Sequence, residues 1–241
     1  MGIRRGSIST PIIADGLAFN MDAANRASYI PDATTSFNTT NLSQSGSLEN
    51  EVGFLQPPIS SSCWNFDGTD DYLDVGSIAI VNSVSNFSFS CWIKTPSFSV
   101  NGYVLGRTGT SNIYESVLMY VKTTGQIVFN VYYGAQQTVN SISLNTWTHI
   151  ACVYDGSLST NNLKGKIYIN GVLETNTTIG GTIPSATGPG LGTNFNIGAR
   201  GKSTGPANFF TGNIANVQIY NRSLSSTEVL HNYNALKSRF E

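Results

Sequence analysis

Residues 87–93 read Phe-Ser-Phe-Ser-Cys-Trp-Ile, a stretch in which every second side chain is apolar. A period of two is that of a β-strand with one face buried, so Phe87, Phe89, Cys91 and Ile93 are predicted to face a core together. A free cysteine in such a place normally behaves as a small apolar side chain. We therefore predict that Cys91 is an unreactive core residue.

The same alternation recurs along the chain in four further segments bounded by Gly, Asn or Ser: residues 117–121, 126–132, 146–154 and 166–169. Asn170-Gly171 predicts a two-residue type I′ hairpin turn, because this turn needs positive φ at both central positions. Residues 32–62 are rich in Ser, Thr and Asn with few apolar anchors, and are predicted to be long loops. Short strands with frequent turns indicate an all-β, antiparallel sandwich or barrel.

One helix is predicted, at the C-terminal end. Ser225 and Glu228 form a capping box, in which each side chain takes a backbone amide that the first helical turn leaves free. With 241 residues the chain fits one domain. The predicted layout is an N-terminal arm (1–11), a β-sandwich (12–224, with its motifs in 60–224) and a short helix (225–240).

The composition excludes several classes of protein. Only 11% of the residues are charged, against about 25% in ordinary globular domains. The net charge is −1 and the only basic cluster is Arg4-Arg5, so a nucleic-acid partner is not expected. No apolar run approaches the roughly 20 residues of a membrane span, and the N-terminal stretch has no signal-peptide core. We expect neither a membrane association nor export by a signal peptide.

Five segments, taken in order, resemble one family. Trp64 to Val75 (WNFDGTDDYLDV) resembles the FDG-x-DDY-x-x-V segment of laminin-G-like, concanavalin A-like jelly-roll domains. The other matching segments are FSFSCWIK (87–94), WTHIACVYDG with IYINGV (147–156 and 167–172), NIGA (196–199) and GNIANVQIYNRSL (212–224). The resemblance covers about residues 60–235. It implies a two-sheet antiparallel jelly-roll sandwich.

A second, narrower resemblance lies at the two ends. Asp15 to Arg26 and the ending HNYNALKSRF (231–240) are similar to a group of tailed-phage virion proteins that carry this domain, often in marine phages. This resemblance implies a non-enzymatic structural protein, most simply an accessory capsid decoration or fibre protein, located in the virion after synthesis in the host cytoplasm. Its expected partners are other head or tail proteins, further copies of itself, and surface glycans. The alternatives are a carbohydrate-binding adhesion module and a glycoside hydrolase.

A hydrolase would need a pair of carboxylates, and the sequence offers no good pair. Retaining enzymes place two carboxylates roughly 5–5.5 Å apart, which on one strand requires acidic residues at alternate positions. Glu49 and Glu51 have that spacing but lie in a segment without alternating apolar residues. His149 and His231 have no nucleophile at motif spacing. We predict that the protein is not an enzyme.

Calcium is the one candidate cofactor, and none is predicted to be required. Asp67, Asp70 and Asp71 are concentrated in one turn, and hard cations take several oxygen ligands. The resembling family often binds calcium, but it normally has an acidic residue just after G-x-I, where this chain has Ala215 and Asn216. Aspartates also cap tight turns through their own backbone, and we favour that interpretation.

Four residues are predicted to contact glycans. Tyr132-Tyr133 ends a strand pattern, so one of the two rings should be exposed. Residues 180–208 are rich in Gly and Pro and are predicted to be loops around one short strand, and Asn208 and Phe209 lie at their end. Aromatic rings stack on sugar rings, asparagine amides hold hydroxyls, and loops on a rigid sandwich are common binding sites. Packing remains the alternative for each aromatic residue.

Overall fold

Seventeen β-strands and two α-helices occupy residues 11–56, 62–109, 116–189 and 193–241, which are the residues that the computed structural model describes. The strands are Leu17–Asp22 (β1), Thr35–Phe37 (β2), Ser45–Glu49 (β3), Gly53–Leu55 (β4), Cys63–Asp67 (β5), Tyr72–Asp74 (β6), Asn86–Lys94 (β7), Gly102–Arg107 (β8), Val117–Val121 (β9), Gln126–Val131 (β10), Gly134–Ser141 (β11), Thr148–Asp155 (β12), Gly165–Ile169 (β13), Val172–Leu173 (β14), Asn176–Thr178 (β15), Asn196–Ile197 (β16) and Thr211–Tyr220 (β17). The α-helices are Asn161–Lys164 (α1) and Ser226–Leu236 (α2), and short 3-10 turns span Ala79–Val81 and Lys237–Arg239.

The strands form two antiparallel sheets. Sheet A has the order β14-β13-β12-β7-β17-β5-β4, with β1 also paired to β17. Sheet B has the order β15-β11-β10-β9-β8-β16-β6-β3-β2. The predicted fold class, an antiparallel two-sheet sandwich with one short C-terminal helix, is confirmed.

The core lies between the two sheets and is built around residues 87–93. The Phe87 and Phe89 rings of β7 lie 6.0 and 6.2 Å from the Phe129 ring of β10, and Phe89 also lies 5.8 Å from Phe195. Cys91 is fully buried beside them, and burial raises the pKa of its thiol. The predicted core face and the inert character of Cys91 follow from this packing.

One turn and the helix cap agree with the sequence, whereas the loop prediction for residues 32–62 is wrong. Asn170 and Gly171 have φ of 51° and 80°, as a type I′ turn requires, and both capping-box bonds of Ser225 and Glu228 are present. However, β2, β3 and β4 fall within residues 32–62. These strands lie at the ends of the sheets, where main-chain pairing continues without the alternation that a buried face imposes.

The outer face of sheet A is covered by the two ends of the chain. Trp92 of β7 stacks against Tyr233 of α2 and Phe240, with ring centroids 5.6 and 4.2 Å apart. The Ile13 amide donates to Asn232 Oδ1 at 2.8 Å, which ties the N-terminal segment to α2. We call residues 11–16 and 222–241 the terminal unit. Residues 1–10 of the predicted arm lie outside the described residues.

A search of the described helices finds none that is long and apolar enough to cross a membrane.

Candidate functional site

Two tyrosines lie side by side on the outer face of sheet B. Tyr103 of β8 pairs with Tyr120 of β9, and their rings stack at 4.5 Å with an interplanar angle of 16°. Tyr120 points outward because its neighbours Met119 and Val121 face the core. Part of Tyr120 remains open to solvent, whereas Tyr103 is 8% exposed.

Arg200 closes one side of this tyrosine pair. It follows β16, and two main-chain hydrogen bonds with Ala207, at 2.9 and 3.1 Å, hold its segment as a short ladder. The guanidinium carbon lies 5.4 Å from the centroid of the Tyr103 ring, within the range of a cation–π contact. The ladder and the ring therefore fix the position of the cation.

The side chains around Tyr120 enclose a small groove that we call the tyrosine groove. It has a volume of about 160 Å³ and is lined by Tyr103, Thr108, Ser116, Leu118, Tyr120, Asn130 and Arg200. Asn130 Nδ2 donates to the carbonyls of Tyr132 and Gly134, at 3.3 and 3.1 Å. Since the amide nitrogen is engaged, the side-chain oxygen of Asn130 is the atom left to accept a bond from a ligand hydroxyl.

The groove combines an apolar surface with fixed polar groups. Burial raises the pKa of the Tyr120 hydroxyl to about 12, while the Arg200 cation acts in the opposite direction. At neutral pH the phenol therefore keeps its proton and can both donate and accept a hydrogen bond. A concave site with aromatic walls and few convergent polar groups is the usual form of a small-ligand site.

A second depression adjoins the first on the far side of Gly201. Its volume is about 280 Å³, and its lining residues are Tyr72, Asp74, Thr193, Asn194, Asn196, Gly201, Lys202, Ser203, Gly205 and Pro206. Asp74 Oδ2 accepts from Asn194 Nδ2 at 2.7 Å, and Asp74 Oδ1 accepts from the Gly76 amide at 2.8 Å. The one carboxylate of this depression is thus engaged by the protein itself.

The sequence analysis placed Tyr132 and Tyr133 in a strand, and the structure corrects this. Val131 pairs with Gly134, so Tyr132 and Tyr133 are the two central residues of the hairpin turn between β10 and β11. Tyr132 has φ of 55° and its side chain is 8% exposed within the core, whereas Tyr133 is 57% exposed. Burial leaves little of the Tyr132 ring accessible, and glycan contact by Tyr132 and by Tyr133 stays a prediction.

Asn208 and Phe209 lie near the other side of the tyrosine groove. The Asn208 carbonyl accepts from the Tyr103 amide at 3.1 Å, and Phe209 packs at 6.3 Å from Tyr72. Both predicted pairs thus touch residues of the two depressions, but the structure does not bring the pairs together and neither lines the tyrosine groove. Glycan contact by Asn208 and Phe209 also stays a prediction.

Arg200 was missed by the sequence analysis, and Tyr120 was not singled out. The signal for Tyr120 was its position between Met119 and Val121, which leaves it on the outward face of the strand. Arg200 carried no such signal, because its place beside Tyr103 comes from strand pairing and not from spacing along the chain.

The three aspartates predicted as a calcium site do lie together. One carboxylate oxygen from each of Asp67, Asp70 and Asp71 falls within 4.8 Å of the others, a separation that a single Ca²⁺ with ligands at 2.3–2.6 Å could span. However, Asp67 Oδ1 accepts from the Thr69 amide at 2.6 Å, and Asp71 Oδ2 accepts from the Asp67 amide at 2.9 Å. These bonds are those of a self-capped turn.

The ionisation of the same aspartates agrees with the turn interpretation. The bond from the Thr69 amide lowers the pKa of Asp67, whereas burial raises the pKa of Asp71, which is 4% exposed. Asn216 supplies no ligand to this turn. Thr211 of β17 pairs with Asp67 of β5, and Asn216 lies five residues farther along β17, about 17 Å from Thr211 at 3.4 Å per residue. The turn stands without help from the segment where the resembling family has its acidic residue.

The residues considered for catalysis are dispersed. Glu49 accepts from the Ser47 hydroxyl at the end of β3. His149 Nε2 lies 2.9 Å from Ser90 Oγ, but His149 is 1% exposed beneath Trp92 and Tyr233. Burial lowers the pKa of His149 to about 3, so the imidazole is neutral and out of reach of a substrate.

The sequence of residues 67–230 matches the model of the concanavalin A-like lectin/glucanases superfamily, in its laminin-G-type branch. The chain therefore belongs to this superfamily. None of the curated proteins matches the sequence.

Solved structures with the same fold include sugar complexes. Domain 4 of AbnA, a GH43 extracellular arabinanase from Geobacillus stearothermophilus, in complex with arabinotriose, is 16% identical with a TM-score of 0.64, over 90% of this chain and 98% of that one. The CBM40 of the Ruminococcus gnavus IT-sialidase, bound to α2,3-sialyllactose, is 18% identical with a TM-score of 0.56, over 70% and 94%. At such identities the likeness concerns the fold.

The sialidase of Trypanosoma rangeli in complex with sialic acid is also similar, with 16% identity and a TM-score of 0.65 over 96% of this chain. The chain spans about a third of that enzyme's length, 36% of it. The chain thus has a lectin-like fold of the class found in carbohydrate-binding proteins.

Proposed function

We propose that this chain is a non-enzymatic binding protein that contacts glycans through the tyrosine groove, and that it serves as an accessory structural protein of a phage virion. The observation that carries the glycan part is the stacked pair Tyr103–Tyr120 with Arg200 and Asn130 around it, on the open face of sheet B. Aromatic surface next to fixed hydrogen-bonding groups is the arrangement that a sugar needs, with its apolar ring faces and hydroxyl edges.

The similar structures support this proposal by their ligands. The arabinanase domain was solved with arabinotriose and the CBM40 with α2,3-sialyllactose, so sandwiches of this shape do hold sugars. The T. rangeli sialidase that was solved with sialic acid is almost three times as long as this chain. Its complex is therefore weaker support.

A glycan array followed by calorimetry on the best ligand tests the glycan part. Tyr120→Ala should abolish binding, because it removes the partly exposed ring of the stacked pair. Phe37→Ala is the matched control, since it removes an exposed aromatic ring from β2 at the end of sheet B and should leave the affinity unchanged, while Tyr133→Ala tests the contact predicted at the neighbouring turn. A blank array overturns the glycan proposal, and a loss confined to Tyr133→Ala moves the site to the hairpin turn.

The absence of catalysis is part of the same proposal. None of the described residues that line the tyrosine groove is a carboxylate, and Asp74 in the adjoining depression is already bonded to Asn194 and Gly76. Acid–base hydrolysis needs a second carboxylate facing the first across the sugar. Release of new reducing ends from bound oligosaccharides would contradict this part.

The virion setting rests on the resemblance of the two chain ends to phage virion proteins. Those ends pack as one structure: Arg239 bonds both carboxylate oxygens of Asp22 at 2.8 Å, and Arg222 bonds Asp15 and Glu228. Segments that resemble one group and also fold against each other form a coherent unit. Other virion proteins, or further copies of the chain, are the partners we propose for it.

Mass spectrometry of purified particles tests the setting. The protein should be present in the particles, and electron microscopy should then place it on the head or the tail. Its absence from particles, together with retained glycan binding, would favour the alternative of a carbohydrate-binding adhesion module.

A further inference from the structure

Arg200 differs from the other well-placed arginines of the chain. Arg222 and Arg239 are both held by carboxylates, at 2.6–2.8 Å. The guanidinium of Arg200 makes no hydrogen bond or ion pair within the described residues, and its Nε is shielded from solvent without a partner. Its contact is with the Tyr103 ring. A planar cation with five donors is thus held in position while its donors stay unused.

The surroundings of Arg200 carry positive charge. Lys122 lies two residues beyond Tyr120, just past the end of β9, and its Nζ donates to Gln137 Oε1 at 2.8 Å. The lining of the tyrosine groove contains Arg200 as its single charged residue, among those described. A cation in a groove whose described lining holds no carboxylate attracts an anionic ligand.

We propose that the tyrosine groove selects sugars that carry a carboxylate, and that Arg200 binds this carboxylate. This inference rests on the glycan site proposed above. A guanidinium meets a carboxylate in a plane with two parallel bonds, and these charge-assisted bonds are stronger than neutral ones. The Tyr103 ring beneath Arg200 keeps the guanidinium plane fixed, so less freedom is lost on binding.

The size of the groove sets the part of the ligand that enters. Its volume of about 160 Å³ is small beside the roughly 300–1,000 Å³ of ordinary ligand pockets. This space holds a carboxylate and part of one sugar ring, and not an extended chain. The ligand is therefore a terminal or side-branching acidic residue, such as a uronic or a sialic acid.

The deciding experiment compares matched acidic and neutral probes by calorimetry on the full chain. Sialyllactose is paired with lactose, and a glucuronic acid-terminated oligosaccharide with its uncharged methyl ester. The acidic member should bind roughly 10–100-fold more tightly, the range expected for hydrogen bonds to a charged group. Raising the salt concentration should reduce this preference, because it screens the ion pair.

Four variants separate the two proposals. Arg200→Gln should remove the preference and keep the weaker neutral binding, and Arg200→Lys should restore only part of it because the fork geometry is lost. Tyr120→Ala should abolish the binding of acidic and neutral probes alike. Lys166→Gln, which removes a cation from sheet A, is the matched control and should change neither.

The outcomes are distinct. Equal affinity for the acidic and neutral probes, or a preference that survives Arg200→Gln, overturns the carboxylate inference and leaves the glycan site standing. A preference for sulfated over carboxylated probes also overturns it. No binding of any probe overturns the inference and the glycan site together.

Discussion

Sheet A carries the terminal unit on its outer face and is the covered side, whereas the outer face of sheet B leaves part of Tyr120 exposed in the tyrosine groove and is the open side. On the covered side, Trp92 is 2% exposed and the arginines that cross the cover are held by carboxylates. On the open side, part of the stacked tyrosine pair is accessible and Arg200 has unused donors. One sheet therefore contributes stability through its cover, while the other keeps its polar groups available for a ligand.

Removing the aromatic anchor of the covered side should give the largest effect. Trp92→Ala deletes a buried ring that stacks on Tyr233 and Phe240, and should lower the free energy of unfolding by about 3–5 kcal/mol. Urea denaturation measures the loss. Trp92→Phe is the control: it keeps an aromatic ring and loses an indole N–H without a partner, so it should cost much less. A near-neutral Trp92→Ala would mean that the terminal unit does not stabilise sheet A.

Acidification should weaken the covered side next. The folded pKa of His149 is about 3 and the unfolded value is 6.5, so between these values the unfolded chain binds more protons and stability falls as the pH falls. From pH 6.5 to 4.5 we expect a loss of about 2 kcal/mol from this residue, since the slope rises from half of 1.36 kcal/mol per pH unit at the unfolded pKa to its full value below it. Glu228, with its pKa lowered to about 2 by Arg222, adds its loss only below about pH 4.5.

Denaturation curves at several pH values check this. Their slope between pH 6.5 and 4.5 should flatten in His149→Gln. If that variant does not fold, the imidazole proton signals of His149 in the wild type can be followed instead. They should not titrate down to pH 4.5. Protonation of a folded His149 near pH 6.5 would contradict its placement under Trp92.

The paired and unpaired arginines should differ by a smaller amount. A double-mutant cycle of Arg222→Gln and Glu228→Gln should give a coupling of about 1 kcal/mol or less, because the pair is partly exposed. Glutamine at 228 keeps the capping role, which isolates the ion pair. Arg200→Gln is the control on the open side and should change stability by less than about 0.5 kcal/mol. An equal loss at Arg200 would reveal a structural partner for it.

Calcium should have the smallest effect. The Asp67 turn is capped by its own amides, so adding Ca²⁺ or removing it with EDTA should leave the melting temperature unchanged. Asp70→Asn, at an exposed position of the turn, should also change nothing in the presence of Ca²⁺. A rise of several degrees with Ca²⁺, lost in Asp70→Asn, would establish a metal site at this turn.

Much of the fold could be read from the sequence, because buried strands impose a period of two. The core face of β7, the Asn170-Gly171 turn and the capping box of α2 all follow from local physics. The strands β2 to β4 could not be found this way: they lie toward the sheet ends, where pairing through the main chain tolerates Ser, Thr and Gly on both faces.

The site was less accessible to sequence reasoning. One ring of the Tyr132-Tyr133 pair was expected to be exposed because successive side chains of a strand point to opposite faces. The two residues form a tight turn instead, which exposes Tyr133 and buries Tyr132. The groove itself joins Tyr103, Tyr120 and Arg200 from three separate stretches. Only the register of β8, β9 and the segment after β16 brings them together, and the sequence does not specify that register.

The most direct test of the account is an NMR titration of the labelled chain with the best-bound acidic glycan. We predict that the tyrosine groove is the binding site, so the largest chemical-shift changes should fall on Tyr103, Tyr120, Asn130 and Arg200, while the signals of the terminal unit should not change. Changes concentrated at Tyr133, at the Asp67 turn or on the outer face of sheet A would contradict it.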